Sequence, residues 1–210
     1  MSLIAVNVLL DPDDATVQRA RAVNARLLED YPNGFALDAD HAPHISVLHR
    51  FVRTADLDDM ARTLTTALSE APPMDWGSTA IGYYDLAHMD LGLVGIVIEP
   101  TDDLRRLQQR VMEAVEPFAV EHGTAAAFAP RPDGAAISEP TVDYVNTFVA
   151  ARTGANYYPH LTVGIGRRPF VDALKAEPFE PFATGAVSVS LYQVGDYGVA
   201  QRQLHELHRC

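Results

Sequence analysis

Apolar residues recur along this chain with two different periods, and the switches between them mark its elements. Residues 4–10 form a nearly unbroken apolar run, Ile-Ala-Val-Asn-Val-Leu-Leu, which predicts a strand. It stops at Asp11-Pro12-Asp13-Asp14, where proline breaks the strand and the acids suit a helix N-terminus. Val17, Ala20, Val23, Leu27 and Leu28 then recur at helical spacing. The same succession returns at 93–103: an apolar run, Glu99-Pro100, two acids at 102 and 103, and a helical set of Leu104, Leu107, Val111, Met112 and Val115. Further helices are predicted near 55–69, 140–151 and 169–176, and further strands at 78–87 and 185–194.

Those two stretches belong to a longer internal repeat. Pro43-His44-Ile45-Ser46-Val47 is matched by Pro159-His160-Leu161-Thr162-Val163. The distance from strand to motif is longer in the second half by 28 residues. Residues 122–155, with breaks at Gly123, Pro130, Pro132 and Gly134, read as an insertion near the motif that could serve as a lid. The pattern predicts an α+β fold, bilobal and duplicated, over residues 1–210 as one domain. Its pseudo-repeats cover about 3–90 and 91–205. Two antiparallel sheets are expected to face a central cleft, with helices outside. The plainer alternative is one open α/β sheet without duplication.

Side chains two apart on a strand share a face. Plain alternation therefore puts His44 with Ser46, and His160 with Thr162, on one face. It adds Arg50 to the first face, and Gly164 and Gly166 to the second, where missing side chains would let a ligand approach. It turns His49 the other way. Two imidazoles beside two hydroxyls suit phosphate-ester chemistry. An imidazole titrates near pH 6.5, so one can take a proton from the attacking oxygen while the other gives one to the leaving oxygen. Hydroxyls can hold the non-bridging oxygens as charge grows on them. A third match, His122-Gly123-Thr124, lies at a glycine break and is set aside. The structural alternative is a pair of strands carrying half-buried histidines.

Charge narrows the ligands. The chain has 16 Lys and Arg against 28 Asp and Glu, for a formal charge of -12, and no basic run. Gripping long nucleic acid takes many cationic contacts, so no long nucleic acid is expected as a partner. A small phosphate ester, a nucleotide or a short RNA end remains compatible with one local pocket. No apolar run reaches the roughly 20 residues of a membrane span, and residues 1–10 lack the basic start of a signal peptide, so the expectation is a cytoplasmic protein without membrane association. The single cysteine, Cys210, offers no disulfide and no cysteine metal cage. His41, His44 and His49, with His88 in reserve, match no trusted zinc spacing, and opposite facing of His44 and His49 disfavours a shared ion. No metal and no cofactor are expected. Oligomeric state is open.

With its two His-x-Ser/Thr-aliphatic motifs at 44–47 and 160–163, the chain resembles the two-histidine phosphoesterases, which include 2′,5′ RNA ligase-like proteins and cyclic phosphodiesterases. Residues 191–198, Leu-Tyr-Gln-Val-Gly-Asp-Tyr-Gly, look like that family's closing strands. The resemblance implies a metal-independent cyclic phosphodiesterase or RNA ligase-like enzyme with His44, Ser46, His160 and Thr162 as catalytic residues. Its substrates would be 2′,3′-cyclic, 2′–5′-linked or 1″,2″-cyclic phosphates. The insertion at 122–155 departs from the compact members. Beyond the motifs, Asn7 either touches ligand or is satisfied within the sheet. Tyr84 and Tyr158 lead the aromatic residues, with Tyr83, Tyr157 and Tyr197 behind, as platforms for a base. Arg50 leads Arg167 and Arg168 as a cation for phosphate. A nucleotide-binding module without turnover is the alternative from another class.

Overall fold

A computed structural model of the chain describes residues 2–38, 41–72, 74–131 and 134–210. Met1 and Pro132, which fall in the expected N-terminal segment and the expected insertion, lie outside them. In chain order the elements are β1 (Leu3–Pro12), α1 (Asp14–Asp30), β2 (Ile45–Arg53), α2 (Leu57–Ser69), β3 (Ser78–His88), β4 (Leu91–Ile98), α3 (Asp102–Val115), β5 (Ala119–Val120), α4 (Glu139–Arg152), β6 (His160–Arg167), α5 (Arg168–Ala176), β7 (Phe182–Thr184), β8 (Ala186–Val194) and β9 (Ala200–Arg209). The strand-to-helix turns work as their sequences require. Asp13 caps α1 by accepting from the Thr16 amide at 2.7 Å, and Thr101 caps α3 by accepting from the Leu104 amide at 3.2 Å.

The class is α+β with antiparallel pairing throughout, but the strands make one curled sheet rather than two separate ones. Its order is β7-β3-β4-β6-β2-β1-β8-β9, with β5 beside β2, nine strands among the described residues. The sheet narrows at its middle, where β2 and β6 share a single pair, Ile45 with Leu161. On one side of this waist lie β6, β4, β3 and β7; on the other lie β2, β1, β8 and β9. Each half draws on distant parts of the chain. β3 pairs with β4, whereas β8 crosses back to pair with β1. Helix α1 packs on β6, and α3 packs on β2 and α2.

The main core lies between the sheet and these helices. It holds Val6, Val8, Ile45 and Val47 from the first motif region, and Val94, Ile96, Leu161 and Val163 from the second, with Leu27 of α1 and Leu107 and Val111 of α3. A smaller core forms on the other face of β1 and β2. There Ala5, Phe51 and Val194 meet Ala127, Phe128 and Val145. The segment expected as an insertion thus supplies a packed layer: its α4 lies on β2, and Phe128 meets Phe51 edge-on with centroids 5.7 Å apart.

Candidate active site

The two motif strands break their alternation at the same place. Val8 faces Leu48 but Leu9 faces Ser46, so Val47 is an extra residue in β2. Val94 faces Gly164 but Gly95 faces Thr162, so Val163 is an extra residue in β6. Such a β-bulge shifts every later side chain to the other face. Three expectations from plain alternation are thereby corrected. His49 joins the His44 and Ser46 face, opposite Asn7 of β1. Arg50 leaves it, aligns with the core residue Val6, and pairs with Glu116 at 3.0 Å. Gly164 and Gly166 turn toward α1, where an added Cβ would lie 2.9 Å from Asn24 Nδ2 and 2.8 Å from Leu27 Cδ2 respectively. They let a helix approach, not a ligand.

Upstream of the bulges the expected faces hold. Ile45 and Leu161 sit in the core and pair across the waist. The positions flanking that pair put His44 next to Thr162 and Ser46 next to His160, on the face opposite α1 and α3, the face that α4 also borders. The imidazoles are diagonal neighbours, a relation that sets the two positions on the order of 7–8 Å apart and their Cβ atoms somewhat closer. His44 Nδ1 lies 2.8 Å from the Ala42 carbonyl, and His160 Nδ1 lies 2.9 Å from the Tyr158 carbonyl. A carbonyl only accepts, so each Nδ1 carries a proton and each neutral ring leaves Nε2 as its basic atom. The two motifs thus set their imidazoles by the same local bond, two residues back.

The hydroxyls are held differently. Asn7 Nδ2 donates to Ser46 Oγ at 2.9 Å, and His49 Nε2 lies 3.1 Å from that oxygen. Asn7 is fully buried, so its direct contact is Ser46 and the ligand-touching alternative falls away. On the other side Thr162 lies near the Tyr84 hydroxyl, and the Tyr84 ring packs edge-on against His160 with centroids 4.6 Å apart. Gly95 makes the room: a Cβ there would lie 2.1 Å from Tyr84 Cε1. Tyr158 is 44% exposed and stands edge-on to Tyr84 at 6.0 Å. Tyr157 is buried and reaches the Ser46 carbonyl at 3.4 Å, so it is not a platform.

Burial lowers the basicity of all three histidines. It acts alone on none of them. For His44, desolvation is opposed by the Ala42 carbonyl and by Asp11. For His160, desolvation is opposed by the Tyr158 carbonyl but reinforced by His44 and Arg152, and the ring is held at about 4. His49 is pushed to about 3 by burial and by the other two rings. Asp11 and Arg152 therefore polarise the pair in opposite senses: the carboxylate favours a proton on His44, the guanidinium disfavours one on His160.

Neither Arg152 nor His49 was among the expected site residues. Arg152 ends α4, with its guanidinium 6.0 Å from the Tyr144 ring centre, and no carboxylate among the described residues pairs with it. The expected cations are otherwise engaged. Besides Arg50, Arg167 lies against Asp30, and Arg168 bonds Asp85 and Asp172. Nothing along α4 distinguishes Arg152 from a surface residue. His49 did have a signal: Gly164 inside a strand pattern marks a bulge, and the repeat carries it to Leu48. Facing His49 toward His44 removes the geometric argument against a shared metal. Its Nε2 is turned to Ser46, however, and among the described residues no three His, Cys, Asp or Glu side chains converge as metal ligands.

A model of the 2′-5′ RNA ligase superfamily matches residues 9–193. No curated protein matches the chain. Among solved structures, E. coli LigT complexed with 3′-AMP aligns at 11% identity and a TM-score of 0.45, over 97% of this chain and 96% of that one. Kluyveromyces marxianus Usb1 with uridine monophosphate aligns at 9% identity and a TM-score of 0.48, over 95% and 96%. E. coli LigT complexed with ATP aligns at 12% identity and a TM-score of 0.42, over 98% and 96%.

Proposed function

The chain belongs to the 2′-5′ RNA ligase superfamily of two-histidine phosphoesterases, and on that premise we propose that it cleaves or re-forms a phosphodiester on a nucleotide or short RNA end without a metal. The observation that carries this reading is the matched pair of imidazoles, each with Nδ1–H fixed on a carbonyl, which leaves Nε2 as its basic atom. In the hydrolytic direction on a 2′,3′-cyclic phosphate, water attacks phosphorus and the His160 Nε2 takes its proton. The bond from phosphorus to one ribose oxygen breaks, and that oxygen takes the Nε2 proton of His44. The opposed influences of Asp11 and Arg152 support this assignment of base and acid. Ser46 and Thr162 hold the non-bridging oxygens, Arg152 offsets the phosphate charge, and Tyr158 offers its exposed ring to a base.

Turnover of a 2′,3′-cyclic mononucleotide in excess EDTA is the direct test. His44→Ala and His160→Ala should each lower kcat by about 10²-fold or more while the protein stays folded, the usual scale for losing one general acid or base. The double variant should fall short of the product of the singles, because both groups serve one proton-transfer step. Full turnover in both single variants would overturn the assignment. Binding of the nucleotide without turnover by the wild type would favour the nucleotide-binding module. Loss of turnover on chelation, restored by a divalent ion, would favour a metal enzyme.

A further inference from the structure

Ser46 is held by two side chains that no ligand can reach. Asn7 is 0% exposed and His49 is 1% exposed. Tyr144 and Phe148 of α4 close over the His49 ring, with centroids 5.2 Å and 4.9 Å away. A hydroxyl has one proton to give and two lone pairs to fill. Asn7 Nδ2 fills one lone pair. His49 can join Ser46 in two ways. If its proton sat on Nδ1, Nε2 would accept the Ser46 proton, and a buried N–H would be stranded, because Nδ1 has no partner. If its proton sits on Nε2, it fills the second lone pair of Ser46. The stranded atoms are then two bare acceptors, His49 Nδ1 and Asn7 Oδ1. Orphaned buried N–H groups are the rarer and less favourable case, so the second arrangement wins.

We propose that Asn7 and His49 are positioning residues that saturate the Ser46 oxygen with donors, leaving its proton to point away from both, toward a bound ligand. The first motif then recognises a group that accepts and cannot donate, such as an ionised phosphodiester oxygen. This rests on the phosphodiester reading of the cleft. The second motif is not set in this way, because Thr162 faces the Tyr84 hydroxyl, which can both give and take a hydrogen bond. His49 supplies direction rather than charge, since burial and the two neighbouring rings keep it neutral.

The tautomer of His49 can be read directly. Long-range ¹H–¹⁵N correlation of the imidazoles at pH 7, assigned with His49→Phe, should show His49 as the neutral Nε2–H form in the ligand-free protein. A neutral Nδ1–H form, or an imidazolium, would overturn the proposal whether or not phosphate binds. For function, His49→Phe keeps a ring against Tyr144 and Phe148 but removes the donor. It should weaken inorganic phosphate binding and kcat/KM for a 2′,3′-cyclic nucleotide by about 10-fold, the scale of one hydrogen bond to a charged group. In a Ser46→Ala background the same change should cost less than about twofold, since no hydroxyl remains to orient. Equal losses in both backgrounds would mean a packing role and would reject the proposal. Should His49→Phe fail to fold, His49→Gln replaces it: a donor amide should keep most of the activity, and loss equal to Ser46→Ala would count against orientation. A wild type that bound neither ligand would sink the phosphodiester reading and the recognition half of this proposal. The tautomer would still decide how Ser46 is held.

Discussion

His44 and His160 occupy matching places on matching strands, yet their surroundings carry opposite charges. Asp11, held by the Ser188 and Ser190 hydroxyls, favours the proton on His44, and Arg152 disfavours one on His160. For kcat/KM, which reports the free protein, the base must be neutral and the acid protonated. His160 loses its proton above about 4, and His44 loses its own at a value below 6.5, so kcat/KM should peak on the acid side of pH 6.5. Arg152→Gln removes a charge that lowers the basicity of His160. The acid limb should therefore move to higher pH, and KM should rise about 10-fold as the phosphate loses a charged donor. An optimum at pH 8, or an unmoved acid limb in the variant, would reject this charge arrangement. The histidines and hydroxyls were legible in the sequence because i and i+2 need only a strand. His49 and Arg50 exchanged faces because a bulge is decided by the partner strand. Arg152 was invisible because only the docking of α4 brings it to the site.

Helix α1 and strand β6 fix the geometry of the second motif by close approach. Gly164 has a backbone φ of 146°, which side chains rarely adopt, and its missing Cβ admits Asn24 of α1. Asn24 uses that closeness: its Nδ2 reaches the Val163 and Phe35 carbonyls at 2.9 Å each. Gly164→Ala should therefore destabilise the protein by about 2–3 kcal/mol, combining backbone strain with overpacking. Urea unfolding would measure this, and a change under about 0.5 kcal/mol would show that α1 can yield. His160→Ala, at a half-buried position on the site face, should stay within about 1 kcal/mol of the wild type. Element by element, the strands with apolar runs and the helices with clear periodicity were readable. Strand β9 was not: Ala-Gln-Arg-Gln-Leu-His-Glu-Leu-His-Arg is polar and charged because it lies at the sheet edge, where such residues discourage pairing with other chains. β5 and β7, of two and three residues, are too short to impose a period.

At the scale of the whole molecule, neighbours in space are rarely neighbours in sequence. The repeated pattern was readable, but the crossing of β8 to β1, and of α1 to β6, depends on pairings that no local pattern encodes. Cutting the chain at the exposed turn of Met89 and Asp90 would leave each fragment short of the partners its strands need. Fragments 1–89 and 90–210 should each be largely unfolded alone and recover cooperative unfolding when mixed, as followed by circular dichroism. A fragment that unfolded cooperatively by itself would contradict this dependence. The narrow waist has a mechanical meaning. At the Ile45–Leu161 pair the sheet has one register pair, where the other seams along its main order have three or more, so among the described residues it is the thinnest of those seams. Each side of that line carries one imidazole and one hydroxyl. On the proposed reading, an anion gripped by all four would be a rivet across the seam. Its grip would stiffen the joint, and any flexing of the joint would set the gap through which the proposed proton transfers pass.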